Sequence, residues 1–150
     1  MSDLLGLSHL HRLPAASRPR VTPGAAGAGI VHLGLGAFFR AHQAVFTEDA
    51  MAVAGGDWGI IGVAPRSRDI VDALTAQDDL YSVTTLAPQD CTVRVIGALA
   101  GARQAAADPD AIVALLADPA IRIVTLTVTE KGYRLDPATG RLMIDDELRA

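Results

Sequence analysis

Ile30-Val31-His32-Leu33-Gly34-Leu35-Gly36-Ala37-Phe38-Phe39-Arg40-Ala41-His42 is the stretch on which the fold turns. It reads as a short apolar strand, a turn with two glycines and the start of a helix, the opening unit of a dinucleotide-binding fold. Gly34 permits a tight exit from the strand. Gly36 has no side chain, so a pyrophosphate can approach the backbone, and the free N–H groups of the following helix then point at that anion. The third fingerprint position, where Gly or Ala would allow close helix–strand packing, holds Phe39. Arg40 lies in the first helical turn, where a positive charge opposes the helix dipole. A nearby anion would compensate it; projection into solvent is the alternative.

Working outward, the 150 residues suffice for one domain with its own core. Half of them are hydrophobic and a fifth charged, which favours folding over disorder. A net charge of −4 gives no reason to expect a nucleic-acid partner. No apolar run approaches the roughly 20 residues of a membrane-spanning helix. The first 13 residues carry Asp3 and lack an unbroken apolar segment, so no secretory signal is expected. A single cysteine, Cys91, excludes an internal disulfide and fits a reducing cytoplasm. The histidines and carboxylates show no metal-ligand spacing.

Residues 1–29 read as a peripheral segment: a short amphipathic helix carrying Leu4, Leu5, Leu7, Leu10 and Leu13, ended by Pro14, then a loose Pro- and Gly-rich connection. Residues 30–150 read as the dinucleotide-binding domain. Its first strand is 30–33. The first helix is 37–53, with Phe38, Ala41, Val45 and Ala52 as its inward stripe, and Gly55-Gly56-Asp57 stops it. The second strand is 59–63. Ser67 is placed to cap a helix carrying Ile70, Val71 and Leu74. Residues 81–86 and 92–96, rich in β-formers and separated by Ala87-Pro88-Gln89-Asp90, read as an antiparallel hairpin. Asp108-Pro109 opens a helix whose buried face is Ile112, Leu115 and Leu116. Residues 121–128 form the strongest strand, and Asp136-Pro137-Ala138-Thr139-Gly140 is a turn between two short strands. Alternating strands and helices predict an α/β fold: a Rossmann-like, mostly parallel sheet with helices on both faces and an inserted antiparallel hairpin.

In such sheets ligands bind beyond the carboxyl ends of the strands. Three loops meet there: 34–39, 64–69 and 129–133. The ribose of an adenine dinucleotide is normally read by a carboxylate after the second strand, and Asp69 is the residue near enough; a dipole-favourable place in a first helical turn explains it equally. Arg66 and Arg68 could instead grip a 2′-phosphate. NAD is the expected cofactor, with NADP not excluded. His32 and His42 have no carboxylate partner in sequence and read as packed or capped side chains. Glu130 and Lys131 lie on the loop after the strongest strand, as active-site or as solvated groups.

The run from Ile30 through Gln43 closely resembles the G-x-G-x-F-H-R-A-H-Q signature of the long-chain mannitol dehydrogenase family, with Phe39 where many members have histidine. Ile123-Val124-Thr125-Leu126-Thr127-Val128-Thr129-Glu130-Lys131-Gly132-Tyr133 is similar to that family's S-L-T-V-T-E-K-G-Y. Asp57-Trp58-Gly59 and Gln77-Asp78-Asp79-Leu80-Tyr81 also look familial. The resemblance covers nearly the whole chain. It implies NAD(P)-dependent hydride transfer between an alcohol and a ketone on a polyol or hexuronate. It implies that Gly34, Leu35, Gly36, Ala37, Phe38, Phe39 and Arg40 cradle the cofactor phosphates, that Asp69 is the ribose-side selector, and that the loop from Thr129 borders the nicotinamide. Family enzymes are about three times this long. Their catalytic lysine lies in a helical C-terminal domain that no position here matches. The resemblance therefore implies the cofactor-binding portion of such an enzyme, incomplete at its C-terminus and inactive alone. The missing domain would be supplied by another chain unless the sequence is a fragment or a remnant. A non-catalytic nucleotide-binding or interaction module is the alternative.

Overall fold

The computed structural model describes residues 4–128, 135, 136 and 138–144. Among them, β1 (Ala28–Leu33), β2 (Gly59–Ala64), β5 (Leu99–Gln104) and β6 (Ile123–Leu126) form a four-stranded sheet in the order β5-β2-β1-β6. All three pairings are parallel. β3 (Tyr81–Ala87) and β4 (Asp90–Ile96) form a separate antiparallel hairpin. The parallel sheet and the inserted hairpin agree with the sequence pattern.

Register places the two faces. His32 pairs with Gly62 on one side and Thr125 on the other, and Val31 pairs with Ile61 and Val124. Since side chains alternate across a strand, His32, Gly62 and Thr125 share one face. Gln43, the first residue of α2 (Gln43–Ala54), reaches that face through a hydrogen bond to Thr125. Ile61 belongs to the other face, where it lines a cavity with Ile112 and Leu115 of α4 (Pro109–Leu116). Helices thus lie on both faces. The core joins Ile30, Ile60, Phe39, Ala44 and Met51 with Leu74, Tyr81, Ile96 and Leu99.

Several elements differ from their sequence reading. The pattern gives no strand over residues 99–104, yet β5 is there. Leu99-Ala100-Gly101-Ala102 lacks β-branched residues, and the segment is held as a strand by pairing with β2 and by burial of Leu99 and Ala102. The single helix over 37–53 is two, α1 (Ala37–Ala41) and α2, broken at His42 with φ −124° and ψ −78°. The break rotates the inward stripe. Phe38, Ala41 and Ala52 are exposed and Val45 half-buried, whereas Phe39, Ala44, Glu48 and Met51 are buried. A buried glutamate in that stripe is why apolar periodicity misplaced it. Ser67 caps nothing; α3 (Asp69–Thr75) starts after Arg68 without a side-chain cap. Asp108 does cap α4, accepting from the Ala111 N–H at 2.9 Å. In α4, Ile112 and Leu115 are half-buried and Leu116 is exposed, because the helix covers only the β2–β5 side. The strand over 121–128 shrinks to β6, which among the described residues pairs only along β1. The N-terminal helix is a 3-10 helix, Leu7–Arg12. The turn after β6 survives as a bridge between Leu135 and Leu142.

A buried ion cluster fastens the hairpin. Glu48 of α2, fully buried, accepts from the N–H groups of Gly97 at 2.5 Å and Arg20 at 3.1 Å. Arg94 of β4 bonds Asp49 at 2.8 Å and lies 3.8 Å from Glu48; Arg20 meets Asp49 at 3.0 Å. One turn of α2 thereby ties together the N-terminal segment, the hairpin and the entrance to β5.

Candidate cofactor site

β1 and β2 are adjacent and parallel, so the turns that follow them share one edge of the sheet. At the end of β1 the chain turns at Gly34, whose φ of +120° strains any other residue. Gly36 then opens α1. A Cβ built on Gly36 meets nothing within 4 Å among the described residues, so against these the turn presents bare backbone. The first helical bond runs from Arg40 N–H to Gly36 O at 3.2 Å. The N–H groups of Ala37, Phe38 and Phe39 precede it and are free of the helical ladder.

The turn rests on two side chains. Leu35 is buried and lies over Gly62 of β2, where an added Cβ would run into its Cδ2 atom. Phe39, 1% exposed, stacks on the His32 ring with centroids 3.9 Å apart and planes 7° from parallel. Phe38, the neighbouring aromatic, points outward at 66% exposure and stacks on His42 at 4.4 Å. The Phe39 that breaks the glycine fingerprint is therefore a support beneath the turn.

His32 occupies the middle of a polar group that sequence reasoning missed. Its Nδ1 lies 2.8 Å from Thr125 Oγ1 and its Nε2 3.1 Å from Thr127 Oγ1. Gln43 Nε2 donates to Thr125 Oγ1 at 2.9 Å. The Thr125 hydroxyl also lies 3.1 Å from Gln43 Oε1, to which it can donate, and the two His32 nitrogens meet the two threonine hydroxyls in either ring tautomer. Burial pushes the His32 pKa down, against hydrogen bonds that favour the charged form, so the ring is neutral at physiological pH. The readable signal was Thr125-Leu126-Thr127: hydroxyls two apart on a strand face the same way.

Arg40 is half-buried, its guanidinium 5.8 Å above the Tyr81 ring. Its Nε is buried without a hydrogen-bond partner among the described residues. The Tyr81 hydroxyl donates to the Arg40 carbonyl at 2.8 Å, linking the hairpin to α1. Burial drives the Tyr81 phenol far above its ordinary pKa, which keeps it a donor. Asp69 is exposed at the start of α3. Arg68 pairs with Asp72 at 3.2 Å on the surface, and the Arg66 carbonyl accepts from Gln104 at 2.6 Å. Thr129, Glu130 and Lys131 lie outside the described residues. The structure thus brings together residues 34–40 with His32, Gln43, Thr125, Thr127 and Tyr81, and puts Asp69 after the neighbouring strand.

The Mannitol dehydrogenase Rossmann domain family matches residues 28–149. The chain belongs to the mannitol dehydrogenase family. Among relatives of this family, it is 46% identical over 123 residues to the polyol:NADP oxidoreductase of Gluconobacter oxydans (strain 621H), covering 79% of this chain and 25% of that one. It is 44% identical over 126 residues to the mannitol 2-dehydrogenase of Cereibacter sphaeroides, 82% of this chain and 25% of that one. The ternary complex of Pseudomonas fluorescens mannitol 2-dehydrogenase with NAD and D-mannitol superposes with a TM-score of 0.83 at 39% identity, over 94% of this chain and 30% of that one. A substrate-free D-sorbitol dehydrogenase gives 0.81 at 41%, with the same coverages. The chain spans about a quarter of the length of the curated relatives it matches. Among the described residues no helix is long and apolar enough to cross a membrane.

Proposed function

We propose that this chain is the cofactor-binding portion of a mannitol dehydrogenase-type oxidoreductase and that the turn from Gly34 to Arg40 holds the pyrophosphate of NAD(H). The observation that carries this reading is the space at Gly36, where a Cβ finds no neighbour among the described residues, directly ahead of the N–H groups of Ala37, Phe38 and Phe39 that lie outside the helical ladder. The residues fit the group. Gly34 shapes the turn, bare backbone faces outward, and Leu35 and Phe39 hold the turn from below. Arg40 supplies a positive charge beside it. A bound nicotinamide cofactor would accept or deliver the hydride exchanged with a polyol or hexuronate alcohol.

Asp69 is proposed as the ribose-side carboxylate and Thr129 as a residue of the loop bordering the nicotinamide. Arg68 is engaged by Asp72, which supports NAD; the exposed Arg66 and the NADP-linked Gluconobacter relative keep the phosphorylated cofactor in the comparison. The catalytic lysine of the family has no counterpart in these 150 residues, so we assign to this portion cofactor binding and place the proton transfer outside it. The remaining substrate-binding polypeptide would cover β6, whose residues Ile123, Val124 and Leu126 are exposed. A cytoplasmic location is proposed from the single cysteine.

Titrating the chain with NADH and NADPH, followed by nicotinamide fluorescence, tests the reading; binding of NADH is expected, and binding of neither overturns it. A turnover assay with mannitol, arabinitol, fructose and fructuronate is expected to show no hydride transfer, and measurable transfer overturns the assignment of binding alone. Exposure of the β6 edge favours one second reading, a stand-alone nucleotide-binding module that engages a partner there. It shares the NADH result and differs in needing no family-type catalytic domain to act.

A further inference from the structure

A buried, neutral, fully engaged histidine at the centre of a parallel sheet calls for an explanation that packing does not give, since an aliphatic residue would fill the place without polar partners. At the level of the sheet row Gly62–His32–Thr125, each member meets something above it. Leu35 of the turn lies on Gly62, Phe39 of α1 lies on His32, and Gln43 of α2 bonds Thr125. His32 touches both the turn and the exit of β6. Its ring carries Phe39 on its face, comes within 3.7 Å of a Cβ built on Gly34, and holds Thr125 and Thr127 through its two nitrogens. Thr127 is the first residue past β6, and its N–H continues the ladder to Leu33 O at 3.3 Å.

We propose that His32 is a positioning residue that fixes the glycine turn relative to the exit of β6, so that the backbone N–H groups of Ala37, Phe38 and Phe39 are already aimed before a cofactor arrives. This rests on the reading that the turn holds a pyrophosphate. The imidazole is suited to the task because it is flat enough to carry Phe39 and has two nitrogens set apart along one strand direction. It thereby spans two threonines that a hydroxyl or an aliphatic side chain could not both reach. The site's partners are uncharged: Thr125, Thr127, Gln43, Phe39 and Gly34. Holding the ring therefore adds no net charge beneath an anionic ligand.

Hydrogen exchange of the peptides spanning residues 33–42 and 123–128, measured without cofactor, tests the positioning itself. NADH titration tests its consequence. Three variants are compared at a temperature where circular dichroism shows each folded. His32→Leu removes both bonds and is expected to speed exchange of the turn and weaken NADH about tenfold, on the scale of two neutral hydrogen bonds. Thr127→Val keeps shape at an exposed position, so folding is secure, and is expected to cost about threefold in affinity with faster exchange of the turn. His32→Gln can still bond both threonines and should recover part of the loss. A merely structural histidine would lower the melting temperature of His32→Leu and leave NADH affinity and turn exchange at the wild-type values. That result, or unchanged turn exchange in both His32→Leu and Thr127→Val, overturns the proposal. Faster exchange with unchanged affinity overturns its link to the cofactor. Should wild type itself fail to bind NADH, the functional reading falls, while the exchange comparison still decides whether His32 positions the turn.

Discussion

The two flanks of the parallel sheet are built differently. On the β5 side, Leu99 and Ala102 are buried, α3 and the hairpin lie close, and the Glu48–Arg94–Asp49–Arg20 cluster ties helix, hairpin and N-terminal segment together. On the β6 side, Ile123, Val124 and Leu126 are 42%, 48% and 58% exposed, although they lie on both faces of the strand. Apolar residues on both faces are the pattern of a strand covered on both sides. Between α2 and β6 runs an apolar groove of about 480 Å³ lined by Ile30, Phe46, Met51, Trp58 and Ile123. One flank is finished by its own side chains; the other presents a surface suited to further polypeptide. The glycine turn stands between them, seated on β2 through Leu35 and connected to β6 through His32.

The largest effect is expected where the finished flank is cut. Glu48→Ala leaves the Gly97 and Arg20 N–H groups without their acceptor while Arg94 keeps Asp49, and should cost about 2–4 kcal/mol, as stranding buried donors does. Chemical denaturation measures it; a loss below about 1 kcal/mol would mean that the cluster does not brace that flank. Next comes the seat of the turn. Gly62→Ala puts a methyl into Leu35 and should destabilise by about 1–3 kcal/mol, the usual range for overpacking. It should also weaken NADH more than an equally destabilising change on α4, because it lifts the turn itself. Titration of both variants separates the two.

A smaller, pH-dependent effect follows from His32. Its folded pKa is depressed by burial, so the unfolded chain takes up the proton first as the pH falls below about 6.5. The stability that the neutral ring contributes is present above that value and is lost as the pH falls toward the folded pKa. Melting temperatures at pH 7.5 and 5.5 should show a drop for wild type that His32→Gln reduces; equal drops would show that His32 does not titrate with folding. The smallest effect belongs to the open flank. Leu126→Ala should cost about 0.5 kcal/mol in the isolated chain, as for other exposed positions. A cost of several kcal/mol would mean that β6 is covered in solution.

Much of this was written in the sequence. Strand, Gly34-Leu35-Gly36 and helix lie in the order required by a dinucleotide turn. The hairpin follows from β-formers on either side of Pro88-Gln89, and Asp108-Pro109 marks a helix start with a bond that can be measured. The failures share one physical cause: they lie where partners far along the chain decide. β5 is strand because β2 is beside it. Glu48 is buried because Arg94, Arg20 and Gly97 meet it, and a hydrophobic stripe cannot count a glutamate. The choice of Phe39 over Phe38 as the inward aromatic was set by the break at His42 and by a ring waiting on β1. In the candidate site, the turn at Gly34 and Gly36 was legible from spacing, whereas the Thr125, Thr127 and Tyr81 contacts join residues 41 to 95 positions apart.

The seating of Leu35 on Gly62 also sets an order of events. The turn belongs to the first strand in sequence, yet the notch that receives it belongs to the second. While β2 is away from β1, Leu35 has nowhere to go and Gly34 has no reason to hold its left-handed shape. A refolding chain should therefore regain its grip on NADH only after those two strands have met, never before. Nucleotide affinity then serves as a clock for sheet assembly, started by a single missing methyl group.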